Sequence, residues 1–503
     1  MKRVVIIGGG ITGLAAAHRI LERSRESGKQ VDLTLLEAGD RIGGIVQTRE
    51  RDGFLLESGP DSFISEKPAA LELIKRLGLE SHLIETNANH RRSFIVRQRR
   101  LLPVPEGFHL LAPSRFWPFV RSDIFSWPGK ARMALDLVLP RRDVNGATDQ
   151  AGDALADESL AQFVRRRLGS EALERMAQPM IGGIYTADPE QLSLRATMPR
   201  FLEMERKHSS IIRALRKQAN KPGVRTGSEI NQDTSGARYS LFLSFDRGMQ
   251  VLTDKLTERI SNFKSKILEE GVSARPSIRP DTTVESVMLE RDAPGGNHSP
   301  WKLTTTTNEI LLADAVCLAL PAYISSRLLT GVDAQLASEL AGISYASSAT
   351  VNLAYKRDDI PHPLDGFGFV VPFIEKRSLI ACTFSSVKFA GRAPQGHALL
   401  RGFMGGALQP ETFDLSLEEL ISRACADLHD LLGIERPPLF AEVSKWERSM
   451  PQYHVGHLER VKRINGRLAS LPGLFLAGNA YLGLGIPDCI KSGEAAAELI
   501  DAL

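Results

Sequence analysis

The chain has 503 residues, of which 43% are hydrophobic and 24% charged, and a formal net charge of +3 at pH 7. That length is too great for one core and predicts two or three domains, while the composition excludes extended disorder. The near-neutral balance excludes a global basic field, no nucleic-acid reader motif occurs, and nucleic acid is therefore not an expected partner. The first predicted element is the apolar run Val4-Val5-Ile6-Ile7, followed by Gly8-Gly9-Gly10-Ile11-Thr12-Gly13. This order of buried strand, glycine turn and helix start predicts a dinucleotide-binding α/β unit: Gly8 permits the turn, Gly10 lets backbone approach a pyrophosphate, and Gly13 lets helix and strand pack closely. The helix N-terminus then faces the phosphates. The next apolar run, Val31–Leu36, ends at Glu37, 24 residues after Gly13, where a carboxylate can accept both ribose hydroxyls and would repel a 2′-phosphate. Ala38 and Gly39 lead to Arg41 and a second glycine pair, Gly43-Gly44. A nicotinamide enzyme has no evident need of that pair, whereas FAD gains from a second close-approach segment with a cation beside its phosphates. FAD is therefore favoured over NAD.

Glu57-Ser58-Gly59-Pro60-Asp61-Ser62 reads as a turn placed to approach the flavin ring, and Pro68 opens a helix running to about Leu77. Between residues 91 and 142 the character changes. Eleven Lys or Arg, beginning with Arg91 and Arg92 and ending with Arg141 and Arg142, face three acids, Glu106, Asp123 and Asp136, an excess of eight. Interleaved with them are Phe108, Leu110, Leu111, Phe116, Trp117, Phe119, Phe125 and Trp127. The composition fits a surface among lipid headgroups and equally a solvated helical lobe with an aromatic core; periodicity does not say which way the rings face. A polar stretch at 143–158 reads as a loop, Ser159 with Gln162 as a capping box, and 217–238 as a second loose segment before a strand at 239–245 and the turn Asp246-Arg247-Gly248. A turn at 292–297 separates strand-like runs, and 313–320 reads as a buried strand. Short β-type runs at 351–355, 367–371, 379–384 and 398–404 predict an antiparallel sheet that could roof a cavity, and Ser416 with Glu419 caps a helix ending near Gly433. Near the C-terminus a strand at 474–479 is followed by Ile486-Pro487-Asp488 and a small-residue helix at 489–499. Aimed at the flavin pyrimidine, that helix would stabilise the anionic reduced ring; taken alone it is equally an ordinary helix packed on a sheet. The cysteines, Cys317, Cys382, Cys425 and Cys489, show no CxxC or metal spacing, which predicts reduced thiols in a reducing, cytoplasmic compartment. The first strand leaves no room for a secretory leader, and no run reaches the roughly 18 apolar residues of a membrane span, so membrane contact is expected to be peripheral at most.

Five segments together carry a more specific signal: Met180-Ile181-Gly182-Gly183-Ile184-Tyr185, Phe245-Asp246-Arg247-Gly248-Met249-Gln250, Gly366-Phe367-Gly368, Met450-Pro451-Gln452-Tyr453-His454-Val455-Gly456-His457, and Gly483-Leu484-Gly485-Ile486-Pro487-Asp488-Cys489-Ile490. Over essentially its full length the chain resembles the protoporphyrinogen oxidase family, FAD enzymes of the amine-oxidase-like superfamily. The resemblance implies a Rossmann-type FAD domain of the p-hydroxybenzoate-hydroxylase kind built from 1–85, 216–330 and 441–503, a helical membrane-associated lobe at 86–215 that forms part of the substrate site, and a substrate domain at 331–440. It implies non-covalent FAD held by Gly8, Gly9, Gly10, Ile11, Thr12, Gly13, Glu37, Ala38, Arg41, Gly43, Gly44, the turn Gly59, Pro60, Asp61 and Ser62, Val284, Trp446, and the helix start Ile486, Pro487 and Asp488. For the substrate it implies Arg92 against a propionate, Gly183 against the macrocycle, and Val370 and Phe384 stacked on pyrrole rings; where relatives commonly carry leucine, this chain has Val370. A porphyrinogen, molecular oxygen, the inner face of the cell membrane, a second copy of the chain and a ferrochelatase that takes the product are the partners it implies.

The expected reaction is a six-electron, oxygen-dependent oxidation of protoporphyrinogen IX to protoporphyrin IX with release of hydrogen peroxide, by hydride transfer from a meso carbon to the flavin and tautomerisation of the macrocycle. The alternative is coproporphyrinogen III, which carries four carboxylates instead of two, oxidised to coproporphyrin III. More distant readings are a flavin amine oxidase, for whose aromatic cage only Tyr481 and Trp446 offer themselves, and a non-catalytic flavoprotein scaffold. No Ser-His-Asp, HExxH or paired-carboxylate signature occurs, and a structural role is expected for His454 and His457 because no third metal ligand accompanies them.

Overall fold

The computed structural model describes residues 1–141, 157–219, 242–263, 276–290 and 301–503. Nearly all of the expected loop at 143–158, the segment 220–238, the first three positions of the strand expected at 239–245 and the turn at 292–297 lie outside them.

Five parallel strands form one sheet in the order Ser277–Arg279, Val31–Leu36, Lys2–Ile7, Ala315–Leu318 and Leu474–Leu476. Val4 to Ile7 and Ala315 to Leu318 are buried throughout, as suits strands covered on both faces. On one side lie the helices Ile11–Ser27, Gln250–Ser261 and Ile486–Ala502, sharing a core of Ile6, Leu14, Leu252 and Ile490. On the other lie the antiparallel strands Val284–Leu289, Trp301–Thr305 and Ile310–Ala313 and the helices Ala322–Leu329, Ala334–Ala341 and His457–Leu468. The C-terminal helix extends three residues beyond the expected run at each end, because Pro487 fits the first turn and lengthens it backwards.

A second sheet has seven strands in the order Phe440–Pro451, Tyr345–Lys356, His397–Gly405, Leu379–Phe384, Gly368–Val370, Phe94–Arg97 and Arg100–Pro103. Every pair is antiparallel except Gly368–Val370 with Phe94–Arg97. The sheet is thus wider than expected, and three of its strands come from segments remote from 351–404. Its two faces do different work. Val351, Leu353, Tyr355, Phe369 and Phe384 pack on the helix Leu417–Leu432, which carries the expected Ser416–Glu419 capping box. Thr350, Asn352 and Ala354 alternate with them and face the hairpin Thr48–Arg51 and Phe54–Glu57, while Ile95 and Val370 face a helical lobe.

That lobe contains the helices Phe116–Arg121, Trp127–Ala134, Leu160–Arg167, Gln178–Tyr185, Pro199–His208 and Ile211–Ala219. The Ser159–Gln162 capping box is formed. The lobe also settles which way the aromatics of 91–142 point: Phe108, Leu111, Phe119 and Phe125 are buried in its core, whereas Phe116, Trp117 and Trp127 are 54%, 65% and 70% exposed.

Candidate active site

The carboxyl edge of the parallel sheet forms a cradle of bare backbone. Ile7 ends the central strand where Ala319 N donates to its carbonyl at 2.8 Å, and the chain turns at Gly8, whose N–H bonds Leu36 O at 2.8 Å. A Cβ on Gly13 would overlap the Gly8 carbonyl oxygen, so only glycine lets the helix start this close to the strand. The second glycine turn lies on the first: Gly43 N donates to Gly9 O at 2.8 Å, and a Cβ on Gly44 would stand 3.1 Å from Gly10 Cα. Gly10 is the N-cap of the first helix and no side chain caps it, which leaves Ile11 and Thr12 at an open, partially positive helix end. Such an end suits a pyrophosphate.

Glu37 sits beside this turn. Its Oε2 accepts from Gly9 N at 2.7 Å and its Oε1 from Gly39 N at 2.9 Å, so both oxygens are oriented and each retains a lone pair for a ribose hydroxyl. Thr282 N donates to Glu37 O at 2.8 Å and Asp281 N to Gly39 O at 2.9 Å, on either side of Ala38, and Val284 follows them into the core with Ile7 and Leu36. Arg41 is placed differently from the expectation. Its guanidinium donates to Ile42 O at 3.0 Å, to Val46 O at 3.1 Å and to Gly44 O, so it braces the second glycine turn from within and is not poised as a free phosphate ligand.

The turn Gly59, Pro60, Asp61 and Ser62 is clamped from the seven-stranded sheet. A single carbonyl, Ser58 O, accepts from Trp446 Nε1 at 2.9 Å, Thr350 Oγ1 at 3.2 Å and Arg401 Nη2 at 3.3 Å. A Cβ on Gly59 would overlap Ile45 O, which ties the turn to the segment after Gly44. Asp61 accepts from Lys388 Nζ at 2.8 Å. Burial alone would raise the Asp61 pKa, but the charges of Lys388 and Arg401 outweigh it and hold the carboxyl well below the usual range. Neighbouring Glu57 goes the other way: burial raises it despite bonds from Met249 N and Thr48 Oγ1. Lys388, Arg392, Arg401 and Thr350 are absent from the sequence expectation, since no local pattern marks a charge that acts some 300 residues from its partner.

Ile486, Pro487 and Asp488 begin a helix that crosses the first helix so closely that a Cβ on Gly493 would overlap Thr12 O. Asp488 caps its own helix through Gly485 N at 3.3 Å and accepts from Lys67 Nζ at 2.7 and 2.6 Å. The helix end therefore carries a carboxylate neutralised by lysine. Tyr453 holds the loop before it, donating to Asn479 O at 2.6 Å and accepting from Gly483 N at 2.8 Å. His457 stacks on Tyr453 with ring centroids 4.0 Å apart and donates from Nε2 to Tyr481 O at 2.9 Å, a structural use of that histidine.

Of the expected substrate residues, the structure brings two together. A Cβ on Gly183 would lie 3.9 Å from Val370 Cγ1, ordinary contact distance, so the helix Gln178–Tyr185 approaches the sheet at these positions with room for little more than a methyl group. At the end of that helix, burial and then the Asp488 charge push the Tyr185 phenol up to about 12, which places this approach beside the C-terminal helix start. Phe384 is a correction: it is fully buried against Phe369 and His362 on the far face of the sheet, and Ala381 is the residue of its strand paired with Val370. Arg92 lies apart from that pair. Its Cζ lies 5.5 Å from the Phe94 ring centroid, on the far face, and its guanidinium is taken by the Asp365 carboxylate and carbonyl. Ile95, not Phe94, shares the lobe-facing core with Val370, and Arg92, just before the strand, is held beside Phe94 by Asp365.

The model of the flavin-containing amine oxidoreductases matches residues 11–501. This chain belongs to that family. It is an FAD-dependent oxidoreductase, and the glycine cradle, uncapped helix and oriented Glu37 fit the adenosine and pyrophosphate of that cofactor. It is 35% identical over 496 residues to the coproporphyrinogen III oxidase of Bacillus subtilis, covering 98% of this chain and 97% of that protein. It is 29% identical over 513 residues to the chloroplastic protoporphyrinogen oxidase 1 of Spinacia oleracea, covering 99% and 84%. A crystal structure from Exiguobacterium sp. 255-15, provisionally named a protoporphyrinogen oxidase, superposes with a TM-score of 0.81 at 31% identity, over 100% of this chain and 99% of that one. Chain and fold thus lie with the porphyrinogen oxidases of the family.

Proposed function

We propose that the protein oxidises coproporphyrinogen III to coproporphyrin III, in six electrons, with oxygen as acceptor and peroxide as by-product. The observation that carries the choice of substrate is the ordering of relatives: the Bacillus protein, named for coproporphyrinogen, shares 35% of its residues, and the spinach protein, named for protoporphyrinogen, 29%. This reverses the order expected from the sequence, in which the two porphyrinogens differ only in carboxylate number and no residue reads that number. We read the chain as a p-hydroxybenzoate-hydroxylase-type FAD domain of 1–85, 216–330 and 441–503, a substrate domain at 331–440 and a membrane-associated lobe at 86–215, whose exposed Phe116, Trp117 and Trp127 are the headgroup contacts.

When bound, FAD supplies the two-electron oxidation that the side chains cannot. The chain contributes binding and positioning. Gly8, Gly10, Gly13, Gly43 and Gly44 admit the pyrophosphate, Glu37 and Val284 the adenosine, and Gly59 to Ser62 with Trp446 the ring. Gly183 and Val370, one bare of side chain and the other apolar, present a shared apolar surface against which one edge of a macrocycle would lie. Tyr185, its pKa raised by burial, stays protonated at neutral pH. An amine oxidase's aromatic cage finds little support, since Tyr481 is buried beneath the parallel sheet and so does not face Trp446 across a substrate.

Anaerobic mixing with each porphyrinogen tests the proposal. Bleaching of the flavin absorbance should be faster with coproporphyrinogen III; the reverse ranking assigns protoporphyrinogen IX, and a flavin that stays oxidised with both ends the oxidase reading.

A further inference from the structure

Behind the Gly59–Ser62 turn lies buried charge that the nucleotide cradle does not use. Lys388 Nζ bonds Asp61 Oδ2 at 2.8 Å and Ser62 Oγ at 3.2 Å, and Ser62 Oγ in turn bonds Asp61 Oδ1 at 2.7 Å. Arg401 is 3% exposed and makes no ion pair among the described residues; it donates instead to the carbonyls of Ser58 and Gly59. Arg392, equally buried, donates to Ser244 Oγ and Phe245 O, both at 2.9 Å. Glu57, Asp61, Asn352, Arg392 and Arg401 line one small cavity. Among the buried groups, with both carboxylates ionised, Lys388, Arg392 and Arg401 leave one positive charge in excess; Asp246, the next carboxylate to Arg392, is largely exposed and shared with His82.

Such a cluster is a poor way to stabilise a fold. Moving a guanidinium out of water costs several kcal/mol, and two neutral carbonyl acceptors return only part of it. Arg401 Nε and Asn352 Oδ1 are buried without a hydrogen-bond partner, which adds to the cost. What the arrangement does secure is backbone direction. Every peptide bond among the described residues is trans, so drawing Ser58 O into the cluster points Gly59 N–H the opposite way, out of it. Thr350 and Trp446 pull on the same carbonyl and fix the same direction.

We propose that Arg401 and the Lys388–Asp61 pair are positioning residues for the flavin: they lock the backbone of the turn that faces the ring and hold an uncompensated positive charge behind it. A buried positive charge favours the anionic reduced form over the neutral oxidised form, because the low-dielectric interior screens it weakly. The consequence is tighter FAD binding and a higher midpoint potential. This inference rests on the reading that the Gly59–Ser62 turn contacts the ring.

Arg401→Gln, Arg401→Lys and Lys388→Met, made in the full chain and reconstituted with FAD, test it by two readouts besides turnover: the FAD dissociation constant from flavin fluorescence and the midpoint potential from spectroelectrochemical titration. Loss of a charge-assisted contact predicts binding weakened by about tenfold in Arg401→Gln and Lys388→Met, with the potential displaced to more negative values, and partial recovery of both in Arg401→Lys. Variants that bind and titrate like the parent overturn the proposal. If Arg401→Gln does not fold, Lys388→Met, altered nearer the surface, decides by the same two numbers. Ser62→Ala separates the inference from its basis. An unchanged flavin spectrum in that variant overturns the placement of the turn and the proposal with it, whereas a changed spectrum beside unchanged Arg401 and Lys388 variants overturns the positioning role alone.

Discussion

Two single residues expose how closely the site is tied to the fold. Gly59 has no room for a methyl group, since its Cβ would overlap Ile45 O, a backbone atom that cannot rotate away. Gly59→Ala must therefore shift the turn, and overpacking of this kind costs about 1–3 kcal/mol. Purified Gly59→Ala should retain less flavin per protein, read as the ratio of visible to ultraviolet absorbance, and unfold at lower temperature; full flavin content would show that the turn relaxes without cost. His457 makes a pH-dependent contribution. Burial lowers its pKa from 6.5 to about 4, so the folded protein keeps it neutral while the unfolded chain binds a proton below pH 6.5. Its stabilisation is complete above pH 6.5 and is lost as pH falls toward 4, by about 3 kcal/mol over the window. His18, His362 and His454 are shifted in the same direction and add to the slope. A His457→Asn variant should start less stable at pH 7, having lost the stack on Tyr453, and lose less than the parent between pH 7 and pH 4.5 in thermal unfolding. Equal slopes would show that this histidine does not titrate with folding.

Among the elements, the lobe depends on a buried ion-pair cluster whose most enclosed member joins Asp136 to Arg167. Asp136 and Arg167 are 0% and 1% exposed, and the guanidinium also holds Leu139 O, Pro140 O and Ser209 O while the carboxylate accepts from Ser210 Oγ and Ile212 N. Together they fasten the end of the helical turn at Leu135–Leu137, the helix Leu160–Arg167 and the start of Ile211–Ala219. Removing Asp136 leaves the buried Arg167 with only the longer 3.6 Å pair to Glu205 and strips Ser210 Oγ and Ile212 N of their acceptor, so Asp136→Ala should cost about 3 kcal/mol. The exposed pair Arg165–Glu190 provides the contrast, and Arg165→Ala should cost less than about 1 kcal/mol. Urea denaturation of the two variants checks the difference, and equal midpoints would contradict it. The same contrast between local and distant partners governs what the sequence discloses. Strand Lys2–Ile7, its glycine turn, the helix after it and Glu37 are legible because every determinant lies within 40 residues and has a fixed spacing. Capping boxes at Ser159 and Ser416 are legible for the same reason. The seven-stranded sheet is legible only in its middle, because Phe94–Pro103 and Phe440–Pro451 enter it through pairings that no local period announces. Phe384 differs from its expected place by strand alternation, since Ala381 of the same strand is the residue paired with Val370, and Arg92 is drawn aside by Asp365, 273 residues away. The Arg401 and Lys388 contacts to Ser58–Ser62 bridge some 325 to 345 residues and leave no trace in composition.

At the scale of the whole molecule, the net charge of +3 conceals an asymmetry, since residues 91–142 alone carry an excess of eight positive charges. No helix among the described residues is long and apolar enough to cross a membrane. Phe116, Trp117 and Trp127 nevertheless stand out from the same lobe, with Leu135 and Val138, 47% and 73% exposed, following them. Rings held out beside cations match the energetics of an interface, where apolar side chains enter the headgroup boundary and each nearby Lys or Arg adds about 1 kcal/mol on an anionic surface. Two contributions of different physical kind predict two different dependences. Sedimentation with vesicles containing anionic lipid should be strong at low salt and fall as the screening length shrinks below about 10 Å near 0.1 M ionic strength. Replacing Trp117 and Trp127 together by Ser should weaken binding by about tenfold or more at every salt concentration, since each ring's burial contributes about 1.5–3 kcal/mol when complete. Wild-type protein that stays in the supernatant at low salt, or a double variant that sediments as well as the parent, would turn the exposed rings into ordinary surface and remove the membrane from the function of this lobe.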